Sequence, residues 1–160
     1  MTFGDRLQKA IRRGQRLSTT RADEERERAL SEEELRRLYS EYRLPLSDHI
    51  ESCLRELPSH FPGFQYQSIL DDRGWGGQVS RDDVRFVDRQ RRSEFSRLEM
   101  SIRPFSSAHV LELVAKGTIR NKELYHRTHY RRLGEADVDS FRELIDLWVL
   151  EYAEAYAARE

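Results

Sequence analysis

Residues 94–105, 110–119 and 123–132 form three runs whose side chains alternate between two faces, and this period of two constrains the fold more than any other feature of the sequence. Such alternation is typical of strands with one buried face, and a weaker alternation is present between residues 64 and 88. The segments between these runs are too short for crossover helices, so neighbouring strands must run antiparallel. The predicted strands span residues 64–70, 83–88, 94–105, 110–119 and 123–132, with a loop at 71–78 and a hairpin turn at 120–122.

The C-terminal segment, residues 137–160, has the 3.6-residue period of an amphipathic helix with Asp137 as its predicted N-cap. Its apolar side, which includes Phe141, Trp148 and Tyr152, is expected to bury against the sheet. The sequence therefore predicts an α+β fold. It comprises N-terminal helices, a four- to five-stranded antiparallel β-meander, and a long C-terminal amphipathic helix packed on the sheet.

The N-terminal region divides into two parts by its apolar content. Ser31 and Glu34 match a capping box, so a helix is expected to begin there. Pro45 lies inside the apolar stripe of that helix and predicts a kink or a break. Residues 1–30 have few large apolar side chains, which predicts a loosely attached, charged helical arm in front of a single α+β domain at residues 31–160.

The charge balance and the cysteine content exclude several classes of protein. The 28 basic and 29 acidic residues give a formal net charge of −1, whereas dedicated duplex-DNA-binding proteins usually carry a basic excess. The single cysteine, Cys53, excludes an intramolecular disulfide and fits a reducing compartment. Residues 1–20 lack the apolar segment of a secretory signal, and no apolar run is long enough to span a membrane. We therefore expect a cytoplasmic protein with no membrane contact.

Residues 122–132, "KELYHRTHYRR", form the predicted strand with the most varied chemistry. His126 and His129 are three residues apart, so on a strand they point to opposite faces and cannot bind one metal ion as a pair. We expect Leu124 and Tyr130 to face the helices, which leaves the basic side of the strand on an open face. The predicted binding residues are Trp75 in the 71–78 loop together with Arg97, Arg103, Tyr125, Arg127, His129 and Arg131.

Catalytic and metal-binding patterns are poor. His49 and Cys53 are four residues apart on one helical face, so a Cys–His pair is geometrically possible, but no neighbour is expected to activate the thiol. The sequence predicts no catalytic residue, no metal site and no cofactor. A small-molecule pocket between the sheet and the C-terminal helix is an alternative, lined by Tyr66, Tyr130, Trp148 and Tyr152.

The long charged helices, the thinly apolar arm and the loop tryptophan favour a non-catalytic protein–protein interaction or adaptor module. Its expected partner is another protein or a second copy of the chain. The alternative function is small-molecule binding, with or without catalysis, in the pocket named above. The third is weak binding of RNA or single-stranded DNA on the basic sheet face. Because Glu99, Glu112 and Glu123 interleave with the arginines, nucleic acid is not the expected partner.

Overall fold

The computed structural model describes residues 2–159, without the side chains of residues 27–30. It confirms the predicted α+β class, with a helical N-terminal region, five antiparallel strands and a C-terminal helix. The elements are α1 (Phe3–His60), β1 (Gln65–Asp71), β2 (Gly74–Val87), β3 (Gln90–Ile102), β4 (Val110–Ile119), β5 (Lys122–Arg132) and α2 (Val138–Ala158).

The five strands form one meander in the order β1-β2-β3-β4-β5, and every neighbouring pair is antiparallel. Two of the hairpin turns, Asp88–Arg89 and Arg120–Asn121, have positive φ at both central residues, which matches the right-handed twist of the flanking strands. Asn121 also fixes the β4–β5 turn to β3, because its side chain accepts from the Phe95 backbone N–H at 2.9 Å and its backbone N–H donates to the Phe95 carbonyl at 2.8 Å.

The segment 71–78 is not a loop, which corrects the sequence-based prediction. Only residues 72–73 connect β1 to β2, and Trp75 lies in β2 opposite Leu70 on one side and Ile102 on the other. The glycines that suggested a loop instead permit a close approach of strands. A Cβ at Gly76 would lie 2.0 Å from the Met100 carbonyl oxygen, so only glycine fits there.

Helix α1 is continuous from Phe3 to His60, so the predicted helix start at Ser31 is wrong and the helix does not break at Pro45. Proline removes one intrahelical hydrogen bond, but tertiary packing outweighs that loss in this helix. Leu46, directly after the proline, is fully buried. The Ser47 hydroxyl donates to the Leu44 carbonyl within the same helix at 3.0 Å.

The chain divides into two compact units, residues 1–37 and 38–160. Every residue from 2 to 26 is exposed to solvent, as expected for a helix segment without a packed side. The predicted boundary at residue 30 and the loose attachment of residues 1–30 stay predictions, and Met1 and Glu160 lie outside the described residues.

The core of the second unit lies between the sheet and two helices that cover the same face. Strands β3 and β4 contribute Leu98, Met100, Ile102, Leu111 and Leu113, and α1 contributes Leu46, Ile50 and Leu54, all fully buried. Tyrosine hydroxyls join the layers. Tyr125 of β5 donates to the Trp148 carbonyl of α2 at 2.6 Å, and Tyr152 of α2 donates to the Thr118 carbonyl of β4 at 2.8 Å. The sheet therefore has a helix-covered face and an open face.

Among the described residues, neither helix has an apolar stretch of the length and hydropathy that crossing a bilayer requires.

Candidate functional site

The two faces of strand β5 are reversed relative to the sequence-based prediction. Tyr125 is 6% exposed under α2, whereas Tyr130 is 60% exposed on the open face. The pairing with β4 explains the difference, since directly opposed residues share a face of the sheet. His129 lies opposite the buried Leu113, and Arg127 lies opposite the buried Ala115, so both belong to the helix-covered face.

The basic side chains of that face fasten α2 to the sheet. Arg127 donates to Glu151 of α2 at 2.9 Å, and its guanidinium lies 4.6 Å from the centre of the Tyr125 ring. The hydrogen bond from Arg127 holds the pKa of the Glu151 carboxyl below its usual value. The His129 ring packs edge-on against Phe141 at 5.1 Å, and burial lowers the pKa of that imidazole. Because Arg127 has these partners, replacing it with glutamate should weaken the packing of α2 on the sheet.

Arg97 and Arg103 do not join this group, whereas Arg131, opposite the buried Leu111, shares its face of the sheet. The register places Arg97 on the open face, 3.8 Å from Glu99. Arg103, just after β3, lies 4.0 Å from Glu112. Arg131 donates to the neighbouring Tyr130 carbonyl at 2.9 Å. The seven predicted residues therefore divide between two faces and do not form one basic surface.

Trp75 is the last of the seven predicted binding residues, and an arginine side chain covers its ring. The guanidinium of Arg43 on α1 is 3.9 Å from the centre of the Trp75 ring, a distance at which a cation–π contact is favourable. This contact ties α1 to β2.

The predicted pocket between sheet and C-terminal helix is not formed by its predicted residues. Trp148 and Tyr152 are core residues, 8% and 1% exposed. Tyr130 lies on the opposite face of the sheet, and the Tyr66 ring is covered by the Arg55 guanidinium of α1 at 4.4 Å. The space between sheet and helix at these positions is packed by side chains.

The structure instead brings together His49 and Cys53 of α1 with Asp146 of α2. His49 Nε2 lies 2.7 Å from Asp146 Oδ1, Cys53 Sγ lies 3.4 Å from the same oxygen, and Cys53 Sγ lies 3.6 Å from His49 Nε2. The helical i,i+4 spacing places the first two on one side of α1, and the neighbouring helix supplies the carboxylate. We call these three residues the HCD cluster.

The HCD cluster lacks the geometry of a nucleophilic triad. In a triad the two imidazole nitrogens have different partners, one the nucleophile and the other the carboxylate. Here both the thiol and the carboxylate approach the same nitrogen, Nε2. Burial, a hydrogen bond to Asp146 and the negative charges of Asp146 and Glu56 raise the pKa of the Cys53 thiol to about 12. The thiol is therefore protonated near neutral pH and is a poor nucleophile.

A groove of about 510 Å³ opens beside the HCD cluster between α1 and α2. Cys53 and Asp146 line one part of it, and the rest is mostly apolar, with Leu57, Phe61, Val149, Leu150 and Ala153. Leu150 is 64% exposed, as is typical of a surface that tolerates contact with an apolar molecule.

A second candidate surface lies within the first unit of the chain. Phe3, Leu7, Ile11 and Leu17 occupy one side of α1 and are 77%, 48%, 51% and 65% exposed. At 100° per residue all four fall within about a third of the helix circumference. We call these four residues the apolar stripe.

Charge is distributed unevenly along the same helix segment. Residues 2–21 carry six basic residues against Asp5, a net charge of +5. Residues 22–26 and 31–35 carry six acidic residues against Arg26, a net charge of −5. The basic half therefore contains the apolar stripe, and the acidic half follows it in the chain.

Comparison of the chain with known protein families, with curated proteins and with solved structures finds no match. Sequence reasoning identified the His49–Cys53 spacing but missed Asp146, because that residue belongs to the polar side of a helix 93 positions later. Only the side-by-side packing of α1 and α2 brings it near.

Proposed function

We propose that this chain is a non-catalytic protein-interaction module that associates with a second copy of itself. Residues 3–35 of helix α1 pair antiparallel with the same residues of the partner copy. The observation that carries the proposal is the exposure of the four large side chains of the apolar stripe on a segment whose residues 2–26 are all solvent-exposed.

Exposed apolar side chains that lie on one side of a helix are typical of a surface that a partner covers. Isolated helices are marginally stable in water, and most helical stability in proteins comes from packing of an apolar side. A fully buried large apolar side chain contributes about 1.5–3 kcal/mol. In the antiparallel pair the apolar stripe of each copy lies against residues 22–35 of the other, which include Ala22 and Leu35, so its burial is partial and stabilises the complex by less than that value per side chain.

Charge complementarity favours a second copy in the antiparallel orientation. In that orientation the +5 half of each helix lies against the −5 half of the other, and the favourable contact occurs twice. A parallel pair would place +5 against +5 and −5 against −5. The pairing segment is about 50 Å long at 1.5 Å per residue, which is long enough for an interface of standard size.

Substitution of the apolar stripe tests the proposal. We expect the full-length chain to be a dimer in sedimentation velocity, and we expect Leu7→Glu with Ile11→Glu to weaken dimerisation at least about 100-fold, because two large apolar side chains per copy are lost. The matched control is Gln8→Glu with Thr19→Glu, which adds the same charge on the far side of the helix and should weaken dimerisation much less. A wild-type chain that stays monomeric at all concentrations, or a dimer that both double variants weaken equally, would contradict the proposal.

The groove between α1 and α2 supports a second candidate function, the binding of a small apolar molecule. Its volume falls within the range of ligand sites, and its lining combines five apolar side chains with Cys53, Glu56, His60 and Asp146. An environment-sensitive apolar dye should bind the wild-type chain, and Leu150→Lys should abolish that binding while Leu147→Lys, on the same helix but outside the groove lining, should not.

A further inference from the structure

We propose that His49, Cys53 and Asp146 bind one divalent transition-metal ion, and that Zn²⁺ is the ion best matched to them. This inference is independent of the proposed self-association. It rests on the positions and chemistry of three side-chain atoms, His49 Nε2, Cys53 Sγ and Asp146 Oδ1, which all lie within 4.8 Å of one another.

The separations of these atoms are close to those of a tetrahedral zinc site. With Zn–S of about 2.3 Å and Zn–N and Zn–O of about 2.0–2.2 Å, tetrahedral angles place sulfur about 3.5 Å from each of the other two ligands. The observed distances from Cys53 Sγ are 3.6 Å to nitrogen and 3.4 Å to oxygen. Nitrogen and oxygen would be about 3.3 Å apart around zinc, and here they are 2.7 Å apart because they are hydrogen-bonded. A small rotation of the Asp146 side chain opens that distance.

The mixture of ligand types selects the class of metal. Imidazole nitrogen, thiolate sulfur and carboxylate oxygen are the three groups that zinc sites use. Mg²⁺ and Ca²⁺ prefer sites made of oxygen ligands alone, so a thiol and an imidazole disfavour them. A bound dication also reverses the local electrostatics, since it neutralises the negative charges of Asp146 and Glu56 that otherwise surround the sulfur.

Three protein ligands leave the fourth tetrahedral position free for water or another small ligand. Cys53 and Asp146 both line the groove between the helices, so the free position lies towards that groove. The three ligands come from two helices, and the ion would therefore link α1 to α2 within residues 38–160. Such a link should raise the melting temperature of the chain when zinc is present, because the ion binds the folded state.

Titration of the chelator-treated, full-length protein with Co²⁺ tests the site. Co²⁺ replaces Zn²⁺ in tetrahedral sites and gives a strong absorption when it is bound to thiolate. Cys53 is the only cysteine in the chain, so a thiolate absorption that saturates at one Co²⁺ per chain, and that Zn²⁺ abolishes, identifies Cys53 as a ligand without any substitution. Absence of that absorption would overturn the proposal.

Three substitutions, one at each proposed ligand, then test the site by Zn²⁺ calorimetry. We expect Cys53→Ser, His49→Gln and Asp146→Asn each to weaken Zn²⁺ binding at least about 100-fold, since even residues outside the ligand shell are worth about 10–100-fold. The matched control is His60→Gln, because His60 lines the same groove without belonging to the HCD cluster, and it should change binding less than about twofold. Circular dichroism of each variant verifies its fold. Folded variants that bind Zn²⁺ as tightly as the wild type would also overturn the proposal.

Discussion

Trp148→Ala should lower the free energy of unfolding by about 3–5 kcal/mol, measured by urea denaturation at one protein concentration. Trp148 is 8% exposed on the sheet-facing side of α2, and its backbone carbonyl accepts the hydrogen bond from the buried Tyr125 hydroxyl. Truncation removes the largest side chain of this layer and leaves a cavity that the neighbouring tyrosines cannot fill without moving. A loss of this size can exceed half of the stability of an ordinary domain.

The control for this prediction is the preceding residue. Leu147 is 60% exposed on the same helix, and Leu147→Ala should change stability by only about 0.5 kcal/mol. If Trp148→Ala cost less than about 1 kcal/mol, the tryptophan would have to be solvent-accessible, and the packing of α2 on the sheet described above would be wrong.

Gly76→Ala should destabilise the sheet by about 3 kcal/mol or more. A Cβ at residue 76 would lie 2.0 Å from the Met100 carbonyl oxygen and 2.7 Å from Ser101 Cα. Both of these atoms belong to the backbone of β3, so no side-chain rotation can relieve the overlap. The strands β2 and β3 would have to separate, which breaks hydrogen bonds at the centre of the meander.

Gly134→Ala serves as the matched control for Gly76→Ala. A Cβ at residue 134 would meet no heavy atom within 4 Å, so this change should have little effect on stability. Near-equal urea midpoints for the two variants would show that β2 and β3 do not approach as closely as the register at Gly76 and Ser101 implies.

The sheet and α2 were predictable because their apolar side chains repeat with a clear period. Leu98, Met100 and Ile102 alternate with polar residues and are all fully buried, and the predicted N-cap Asp137 accepts from the Ser140 backbone N–H at 2.7 Å. The segment 71–78 was misread because glycine is common in loops, whereas Gly76 is required by the close approach of two strands.

Other features depend on contacts distant in sequence and were therefore not predictable. Ser31 and Pro45 carry local signals for helix ends, yet α1 continues through both. On β5, apolar character suggested that Leu124 and Tyr130 face inward, but the register with Leu113 and Ala115 of β4 turns Tyr125 inward instead. Only tertiary structure decides these cases, because both local alternatives are chemically reasonable.

The candidate sites differ in how much the sequence reveals of them. The thin apolar content and the charge of residues 1–30 were visible in the sequence, and the helix adds the phase that places Phe3, Leu7, Ile11 and Leu17 on one side. Only two residues of the HCD cluster, His49 and Cys53, could be paired from the sequence, since Asp146 reaches them through the packing of two helices.

Two variants, one that reverses charges in the basic half of the pairing segment and one that reverses charges in its acidic half, test the antiparallel self-association most directly. One variant, Arg12→Glu with Arg16→Glu, lowers the net charge of residues 2–21 from +5 to +1. The other, Glu24→Arg with Glu25→Arg, raises that of the acidic half from −5 to −1. In either variant alone both contacts of the dimer are weakened, whereas a mixed dimer keeps one contact of +5 against −5.

Sedimentation velocity of the two variants, separately and as an equimolar mixture at low salt, is the decisive measurement. We expect each variant alone to dimerise more weakly than the wild type, and the mixture to form a heterodimer tighter than either homodimer, with the difference shrinking as salt screens the charges. Variants that dimerise as strongly as the wild type, or a mixture that associates no better than its components, would contradict antiparallel pairing of residues 3–35.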